Sequence, residues 1–413
     1  MIQSHRALFF EQLTYFSILL ILSAIPFSKG CIEFSLIFGL VAWAAFRIST
    51  KNYHILNLPL TLPLLFYVMF VFISMINTPV LELSLRGLFR VLKYVALYLM
   101  VVDIIQTGER YQWVQRVILI STALACANGI YQMWTGFDFR HQYKILFMDG
   151  VARVTGSFNH PNNFAAYLTT VLLIFLYARD TKGWEIFKLI VATLCIFTLF
   201  QTYSRLPVIL SLLVLIGVGF SSRQYKTYSF VCVLSFIIVG FAYCFYDLSY
   251  FSRMAHIIFG DARIRYWGFA VQLIKKHFLF GHGINTYMNA IDQPYIPQHW
   301  HGIYPHNFIL QMWVELGLFG VFYFILFLVK FFIEVRNYLM KNQSSLDDVN
   351  RMIFGSIIAI SFFLLHALVD NNLQSLQLTT LFWVLVGSVM GMIRKKDLRV
   401  YHLAPKVRKK VRV

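Results

Sequence analysis

Long apolar stretches separated by short polar segments recur along the sequence from Leu13 almost to the C-terminus. Each is about 17–25 residues long, enough for a helix to cross a hydrocarbon layer of roughly 30 Å. The pattern predicts twelve membrane-spanning helices. They lie at about 12–28, 32–48, 58–76, 88–105, 113–134, 162–178, 185–202, 206–221, 228–246, 306–330, 353–370 and 374–393. We therefore expect an all-α, polytopic integral membrane protein.

The positions of lysine and arginine predict the orientation of these helices. An even number of spans puts both termini on one side, and cations are enriched on the cytoplasmic side. With cytoplasmic termini, the inner connections carry Arg47, Lys51, Arg110, Arg116, Arg179, Lys182, Arg223, Lys226, Lys330, Arg336, Lys341 and Arg351. The outer connections at 29–31, 77–86, 202–206 and 371–373 carry few. The alternation supports both the count and the orientation.

Composition excludes several other classes of protein. Of 413 residues, 59% are hydrophobic and only 13% are charged, which a soluble globule could not bury in one core. The net charge of +18 lies largely in short connections and in the basic tail 394–413, where it suits anionic lipid and makes nucleic acid an improbable partner. The five cysteines lack metal-ligand spacing, so neither a disulfide framework nor a zinc site is expected.

Two outer segments are much longer than the other turns, namely 135–161 and 247–305. Loops of this length usually carry function or structure of their own. We therefore divide the chain into helices one to nine (1–246, with the loop 135–161), a large periplasmic loop (247–305), helices ten to twelve (306–393) and a cytoplasmic tail (394–413). Within the large loop, helical spacing of apolar residues predicts an amphipathic helix on the membrane surface. Those residues are Ile264, Trp267, Val271, Ile274 and Phe278.

The stretch PHNFILQMWVELGLFG, Pro305 to Gly320, opens the tenth predicted helix with polar residues. Pro305 suits a helix start, and Asn307 is a candidate cap. Glu315 lies nine residues after His306, about 13 Å further along the axis and therefore inside the membrane. A carboxylate at that depth is costly and usually partnered, so we expect it to pair with a neighbouring helix.

This stretch and three others resemble the O-antigen ligase and O-antigen polymerase superfamily. The resembling features are the His-Asn pair followed by G-x-x-G after the largest outer loop, TGSFNHPNNFAAYL (155–168), QTYSRLPVIL (201–210) and DARIRYWGFAVQLIKKHFLFGHGINTY (261–287). The resemblance covers about 150–340. It implies a glycosyltransferase of the bacterial inner membrane that takes a glycan from undecaprenyl diphosphate at the periplasmic face. For the ligase, the acceptor is a sugar hydroxyl of the lipid A-core, and neither a metal nor a cofactor is used.

The resemblance also assigns candidate roles to residues. His306 would be the general base, since imidazole accepts protons near neutral pH. Arg205 and Arg263 would bind the diphosphate, whose oxygens match the guanidinium fork, with Arg265 as the weaker alternative to Arg263. In this sequence Leu206-Pro207 follows Arg205, whereas a small residue commonly follows the family's Ser-Arg. Possible supporting residues are Asn307, Glu315, Asn159 and Asn162.

Several alternatives remain open from the sequence. The motifs separate ligase from polymerase poorly, and twelve spans also suit a lipid-linked glycan flippase or transporter, although no paired halves are evident. A non-catalytic membrane scaffold would use the long loop for docking. The histidines of HWHGIYPH (His299, His301 and His306) allow a weaker metal-site hypothesis, with Asp292 or His282 as a further ligand. Arg90 and Lys93 could extend an anion-binding channel or simply reach from a helix end to the membrane surface.

Overall fold

The computed structural model of the protein describes residues 2–140, 142, 144–148, 151–221, 226–246, 261–291, 304–342 and 347–407. This part of the chain is almost entirely helical. Its helices are α1 (Ile2–Ala24), α2 (Lys29–Ser49), α3 (Thr61–Ser74), α4 (Leu81–Ile104), α5 (Gly108–Thr135), α6 (Pro161–Ile174), α7 (Lys182–Gln201), α8 (Arg205–Ser221), α9 (Lys226–Tyr246), α10 (Asp261–Lys276), α11 (Tyr287–Ile291), α12 (Phe308–Lys341), α13 (Asp348–Ala367) and α14 (Leu376–Val407). Short 3₁₀ turns occupy Ile55–Asn57, Met75–Asn77 and Asn372–Gln374.

Each of the twelve predicted membrane helices overlaps one of these helices. The largest differences are at C-terminal ends, where α12 continues to Lys341 and α14 to Val407, into the segment predicted as a tail. By length and composition, seven of the described helices can cross a membrane: α1, α2, α5, α7, α12, α13 and α14. Three further apolar helices are shorter, at Thr61–Asn77, Arg205–Gly217 and Tyr228–Tyr243. The protein is thus an all-α, multi-pass membrane protein, and the count of twelve spans stays a prediction.

Polar side chains at the helix ends explain several of the boundaries. Thr107, Asn307 and Asp347 each accept a hydrogen bond from a backbone N–H in the first turn of α5, α12 and α13. Such caps satisfy donors that the helix itself leaves unpaired. At its other end α5 stops at Gly136, whose φ of 79° is readily adopted only by glycine. Asn307 therefore caps α12, as its position in the sequence predicted.

The segment 135–161, predicted as an outer loop, contains a small antiparallel hairpin of β1 (Leu146–Met148) and β2 (Val151–Arg153). Leu146 pairs with Arg153 and Met148 with Val151. The backbone N–H of Val154 then donates to the carbonyl of Gln201 at the end of α7. The hairpin therefore fixes Arg153 beside the turn between α7 and α8.

Helix α10 coincides with the predicted amphipathic helix, and one of its sides also packs on the protein. Ala270, Leu273 and Ile274 pack with α11 and with Val314 of α12 in a separate apolar cluster. Ile264 and Val271, predicted to belong to the apolar face, are exposed. The helix is thus docked on the protein through one side and leaves an apolar stripe on the other. Its contact with a membrane surface stays a prediction.

Helix α12 is interrupted at Gly317, where the backbone leaves helical geometry with φ 71° and ψ −174°. The segment 278–283 packs into this break: the N–H groups of His282 and Gly283 donate to the carbonyls of Val314 and Glu315. A Cβ on Gly317 would lie 2.3 Å from the backbone of Leu279, so only glycine fits there. Gly281 of the GHG motif and Gly317 of the G-x-x-G motif thus allow the loop to pack closely against α12.

Candidate functional site

His306 lies immediately before α12, at the end of the molecule where the hairpin β1–β2 and helices α10 and α11 are found. Its Nδ1 is 3.2 Å from Oδ1 of Asp370, which lies between α13 and α14. The His306 side chain is 34% exposed, whereas that of Asp370 is only 12% exposed. Because a carboxylate only accepts, Nδ1 carries the proton of this hydrogen bond, and the lone pair of neutral His306 lies on Nε2. The pair therefore presents an oriented imidazole with a basic nitrogen away from the carboxylate.

The backbone at His306 has a φ of 48°, in the left-handed region that residues other than glycine seldom adopt. Tyr203, two residues before Arg205, has a φ of 50°. Such backbone conformations occur where the surrounding structure imposes them, and they are frequent at functional sites. Both candidate segments therefore contain a residue held in an unfavourable conformation.

Asn162, in the first turn of α6, connects Asp370 to two further elements. Its Nδ2 donates to Oδ2 of Asp370 at 2.9 Å. Its Oδ1 accepts from Nη2 of Arg153 and from Oγ of Ser204, both at 2.9 Å. Arg153 also donates through Nε to the carbonyl of Thr202. A continuous chain of hydrogen bonds thus runs from His306 through Asp370 and Asn162 to the start of α8.

Arg205 is the first residue of α8 and directly follows Ser204 in that chain of bonds. It is half-buried. The first turn of α8 contains no acidic residue, so the positive end of the helix dipole adds to the guanidinium charge. The start of α8 is therefore a cationic edge of the cluster.

Helix α10 supplies the opposite edge. The ring of Tyr266 lies 6.2 Å from that of His306, and Nε1 of Trp267 donates to the carbonyl of Pro305. Arg263 precedes Tyr266 by about one helical turn and is half-buried like it, whereas Arg265 is exposed on the outer side. The charge of Arg263 also acts on His366, near the end of α13. The structure therefore places Arg263, rather than Arg265, on the face of α10 that lies over His306.

The charges around Asp370 keep it ionised. Burial raises the pKa of Asp370, but the hydrogen bond from His306, the positive charge of the nearby imidazoles and the N–H of Asn371 together hold it well below its usual range. A carboxylate that stays ionised can stabilise the imidazolium formed when His306 accepts a proton. Beside it, both polar side-chain atoms of Asn371 are buried with no hydrogen-bond partner within the described residues.

His160 is a second histidine of this cluster, with a different environment. It caps α6: its Nδ1 accepts from the N–H of Asn162 at 3.2 Å, and Pro161 follows at the first helical position. Burial lowers the pKa of His160, and the charges of Arg153 and His306 lower it further against the opposing effect of Asp370. With Nδ1 accepting, neutral His160 carries its proton on Nε2 and is a donor.

An apolar groove runs from the cluster along the side of the helical bundle. It has a volume of about 360 Å³ and lies between α12 and α13, with Phe308, Leu328, Phe332, Leu364 and Leu368 in its walls. Phe308 is two residues from His306 and Leu368 two residues from Asp370. The polar pair therefore stands at one end of a groove that suits an acyl or isoprenoid chain.

The remaining candidates have different positions. Asn159 is exposed. Glu315 is buried and accepts from Nε2 of Gln311 and from the N–H of Asn285, each at 3.0 Å. The loop 281–287 and α12 itself supply these two donors, and the charge of Arg90 on the neighbouring helix α4 also acts on Glu315. Sequence reasoning missed Arg153 and His160 and assigned no role to Asp370. An arginine in an outer loop and the polar run Asp370-Asn371-Asn372 were the available signals.

The described residues contain no group of three or more histidine, cysteine, aspartate or glutamate side chains placed to hold a metal ion. His299, His301 and Asp292 lie outside the described residues, so the metal-site hypothesis on HWHGIYPH is not addressed by this geometry. His282 is half-buried, with Nε2 3.0 Å from the carbonyl of Leu273.

Arg90 and Glu315 line a separate, small internal cavity of about 70 Å³ between α3, α4, α12 and α14. Nη1 of Arg90 donates to Oε1 of Gln374 at 3.0 Å. Lys93 pairs with Glu33 of α2. Both cations are thus engaged by neighbouring helices, and Lys93 does not contribute to the cluster at His306.

Comparison with known proteins addresses the family. Residues 190–325, about a third of the chain, match the family model described as O-antigen ligase. A protein of Rickettsia conorii named "Putative polysaccharide ligase" is 27% identical over 143 residues. That match covers 33% of this chain and 32% of the relative, so it spans about a third of each protein. The matched segment includes Arg205, Arg263 and His306. Residues 190–325 are therefore similar to the O-antigen ligase family, which confirms the resemblance seen in the sequence.

Proposed function

We propose that the protein is an O-antigen ligase of the bacterial inner membrane, with both termini in the cytoplasm and its active site facing the periplasm. It would transfer a glycan from undecaprenyl diphosphate to a sugar hydroxyl of the lipid A-core. One observation carries the proposal: an imidazole oriented by a carboxylate stands at the end of an apolar groove, with Arg263 on the helix above it. A base, a cation and a lipid groove in one place suit a lipid-linked diphosphate donor.

In the proposed reaction, Nε2 of His306 accepts the proton of the attacking sugar hydroxyl. The hydroxyl oxygen forms a bond to the anomeric carbon of the donor, and the bond between that carbon and the diphosphate oxygen breaks. General base catalysis of this kind requires the basic nitrogen to be within hydrogen-bonding reach of the hydroxyl. Asp370 fixes the orientation of the imidazole and compensates the positive charge that forms on it.

The leaving diphosphate departs with its electron pair and needs cations more than it needs a proton. Arg263 and Arg205 supply these charges from two sides of the cluster, and guanidinium groups meet phosphate oxygens in bidentate pairs. Arg265 is less suited because it is exposed on the outer face of α10. The carrier's isoprenoid chain would lie in the groove between α12 and α13. Neither a metal ion nor a cofactor is part of this scheme.

Arg153, Asn162 and Ser204 take part as positioning residues. Their hydrogen bonds to each other and to Asp370 hold the base side of the site against the start of α8. The amide of Asn371, with both polar atoms unpartnered within the described residues, suits hydroxyl groups of a glycan. These side chains therefore link the base to the diphosphate side of the site.

The proposal is tested by deleting the gene in the organism that carries it and inspecting the lipopolysaccharide. If the protein is a ligase, the deletion should leave the core without polymer, and polymer should accumulate on undecaprenyl diphosphate. A core that carries a single repeat unit would instead identify a polymerase, which joins carrier-linked repeats and would use the same base and cations.

A second experiment separates an enzyme from a transporter or scaffold. The purified full-length protein, reconstituted with a defined undecaprenyl-diphosphate-linked glycan and lipid A-core, should form the new glycosidic bond. A flippase would move the donor across the bilayer with its bond intact, and a scaffold would leave it unchanged. Either result would overturn the proposed function.

A further inference from the structure

A second and larger groove lies at the same end of the molecule, between α1, α2 and α5. Its volume is about 770 Å³, within the range of roughly 300–1,000 Å³ that is usual for small-molecule sites. Its walls are mostly apolar, with Leu20, Phe27, Phe34, Leu124 and Tyr131 among them. The groove therefore has the size and the surface of a binding site for a hydrocarbon chain.

The surroundings of this groove indicate what fills it. Helices α1, α2 and α5 are all long and apolar enough to cross a membrane. Leu20, Phe34 and Leu124 are 38%, 74% and 54% exposed, so the groove opens sideways on the apolar surface of the bundle. In a membrane that surface contacts lipid rather than water. An acyl chain is thus the occupant that the walls favour.

The outer rim of the groove is cationic. Arg140 lies beside Cys31, and the rings of Phe27 and Phe139, which also line the groove, contact each other. The Arg140 side chain is exposed, and no carboxylate forms an ion pair with it within the described residues. The carboxylate of Asp138 is turned inward, where it accepts from the N–H of Arg140 and from Ser157. The rim therefore carries a positive charge that no carboxylate of the described residues pairs with.

The position of Arg140 is unusual for a membrane protein. It lies in the segment predicted to face the periplasm, where lysine and arginine are generally depleted. A cation at the mouth of an apolar groove can form a favourable electrostatic contact with an anionic lipid headgroup. Arginine near a membrane surface gains about 1 kcal/mol from anionic lipid.

We propose that this groove binds one anionic phospholipid of the bilayer, with an acyl chain between α1, α2 and α5 and the phosphate at Arg140. The site is separate from the cluster at His306 and does not depend on the proposed transfer reaction. Asn128, at the floor of the groove, donates to Ser157, three residues before His160. Bound lipid would therefore support the turn that carries His160 and Asn162.

Lipid retention by the purified full-length protein tests the proposal directly. The protein is exchanged into mixed micelles with equal phosphatidylglycerol and phosphatidylcholine, and retained lipid is counted by native mass spectrometry. We expect one retained phosphatidylglycerol, and about fivefold less in Arg140→Gln. Arg86→Gln is the matched control, because Arg86 is also exposed but is paired with Glu82. Equal retention of the two lipids, or no change in Arg140→Gln, would overturn the headgroup assignment.

A second pair of variants tests the acyl-chain part of the groove. Ala127 is exposed on its wall, so Ala127→Phe should fill the space and abolish retention of either lipid. Ile120→Phe, on an exposed position of α5 outside the groove, should retain lipid normally. If Ala127→Phe instead dissociates a dimer and leaves lipid retention unchanged, a second copy of the chain covers the groove and the proposal is wrong.

Cys31 provides an independent readout at the rim. It is exposed, whereas Cys126, Cys195 and Cys232 are buried. Phosphatidylglycerol should slow the reaction of Cys31 with a maleimide, followed by mass spectrometry of the modified peptide, and phosphatidylcholine should not. The protection should disappear in Arg140→Gln. Protection by both lipids alike, or by neither, would contradict the proposed position of the phosphate.

Discussion

His306 and Glu315 lie nine residues apart in one motif, yet the structure uses them in opposite ways. His306 is one-third exposed, adopts a left-handed backbone and has one ring nitrogen bound by Asp370. Glu315 is buried, and both of its carboxylate oxygens accept hydrogen bonds. The histidine therefore keeps a nitrogen available for a substrate, whereas the oxygens of Glu315 are engaged within the protein.

This difference distinguishes a reactive residue from a structural one. A buried polar group whose partners are complete stabilises one arrangement of the chain, and removing it leaves those partners unsatisfied. A half-exposed group that is oriented on one side only can act on a ligand. We infer that Glu315 holds the loop 281–287 on α12.

The largest expected effect is on catalysis, from His306→Ala. Loss of a general base reduces transfer by about 10²–10⁴-fold, while the protein still folds and inserts, because the side chain is partly exposed. Transfer by the reconstituted protein and its abundance in membranes are measured together. His277→Ala is the control, since His277 contacts His282 and lies outside the cluster. Undiminished transfer in His306→Ala would show that His306 is not the general base.

The next largest effect is expected at the diphosphate side, from Arg263→Lys. A point charge cannot reproduce the bidentate fork, and loss of one electrostatic contact to the leaving group costs about 10²–10³-fold in kcat. Arg205→Lys should be similarly damaging. Arg265→Lys provides the matched control two residues away, on the exposed face of α10, and should retain wild-type activity. Equal effects of Arg263→Lys and Arg265→Lys would show that the face of α10 does not decide which arginine binds phosphate.

Asp370→Asn tests whether the carboxylate orients His306. An amide can donate as well as accept, so it no longer holds the imidazole in one tautomer, and misplacement of a catalytic group costs about 10²-fold. The loss should appear in kcat with little change in KM, because Asp370 contacts the base rather than the substrate. A loss in KM alone would assign Asp370 to glycan binding instead.

Glu315→Gln should affect stability rather than chemistry. Glutamine keeps one acceptor oxygen for the two donors that now share the carboxylate, so one of them is left unsatisfied at a cost of about 1–3 kcal/mol. Thermal unfolding in detergent should shift to lower temperature, while transfer per folded molecule stays unchanged. A folded, inactive Glu315→Gln protein would place Glu315 in the chemistry and end the distinction from His306.

The helices were predictable because their signals are local. Apolar length, proline starts and polar caps such as Asn307 act within a few residues, and each predicted helix overlaps one in the structure. The face of α10 that packs on the protein was not predicted, because its apolar residues occupy more than one side and tertiary packing against Tyr287 and Val314 selects between them. Periodicity alone does not contain that choice.

The site was predictable only in part, for the same reason. His306, Arg205 and Arg263 stand in motifs that resemble a family. Asp370 is 64 residues from His306 and 208 from Asn162 in sequence, and no short-range pattern connects them. Arg153 gains its place through a hairpin that sequence reasoning treated as loop. Pairing across such distances is decided by the packing of α6, α13 and α14.

The smallest expected effect concerns His160, which is a titratable residue near His306 but has its Nδ1 engaged in a helix cap. Asparagine is also a good N-cap, so His160→Asn should keep the stability of α6, whereas His160→Ala should lose about 1 kcal/mol.

Burial lowers the pKa of His160, so the folded protein binds this proton more weakly than the unfolded chain. The stability that neutral His160 contributes is present above about pH 6.5 and is lost as pH falls below it. Unfolding temperatures of the wild type should therefore decline on acidification from pH 7 more steeply than those of His160→Asn. Identical pH dependence in the two proteins would show that His160 is as free to titrate as an exposed histidine.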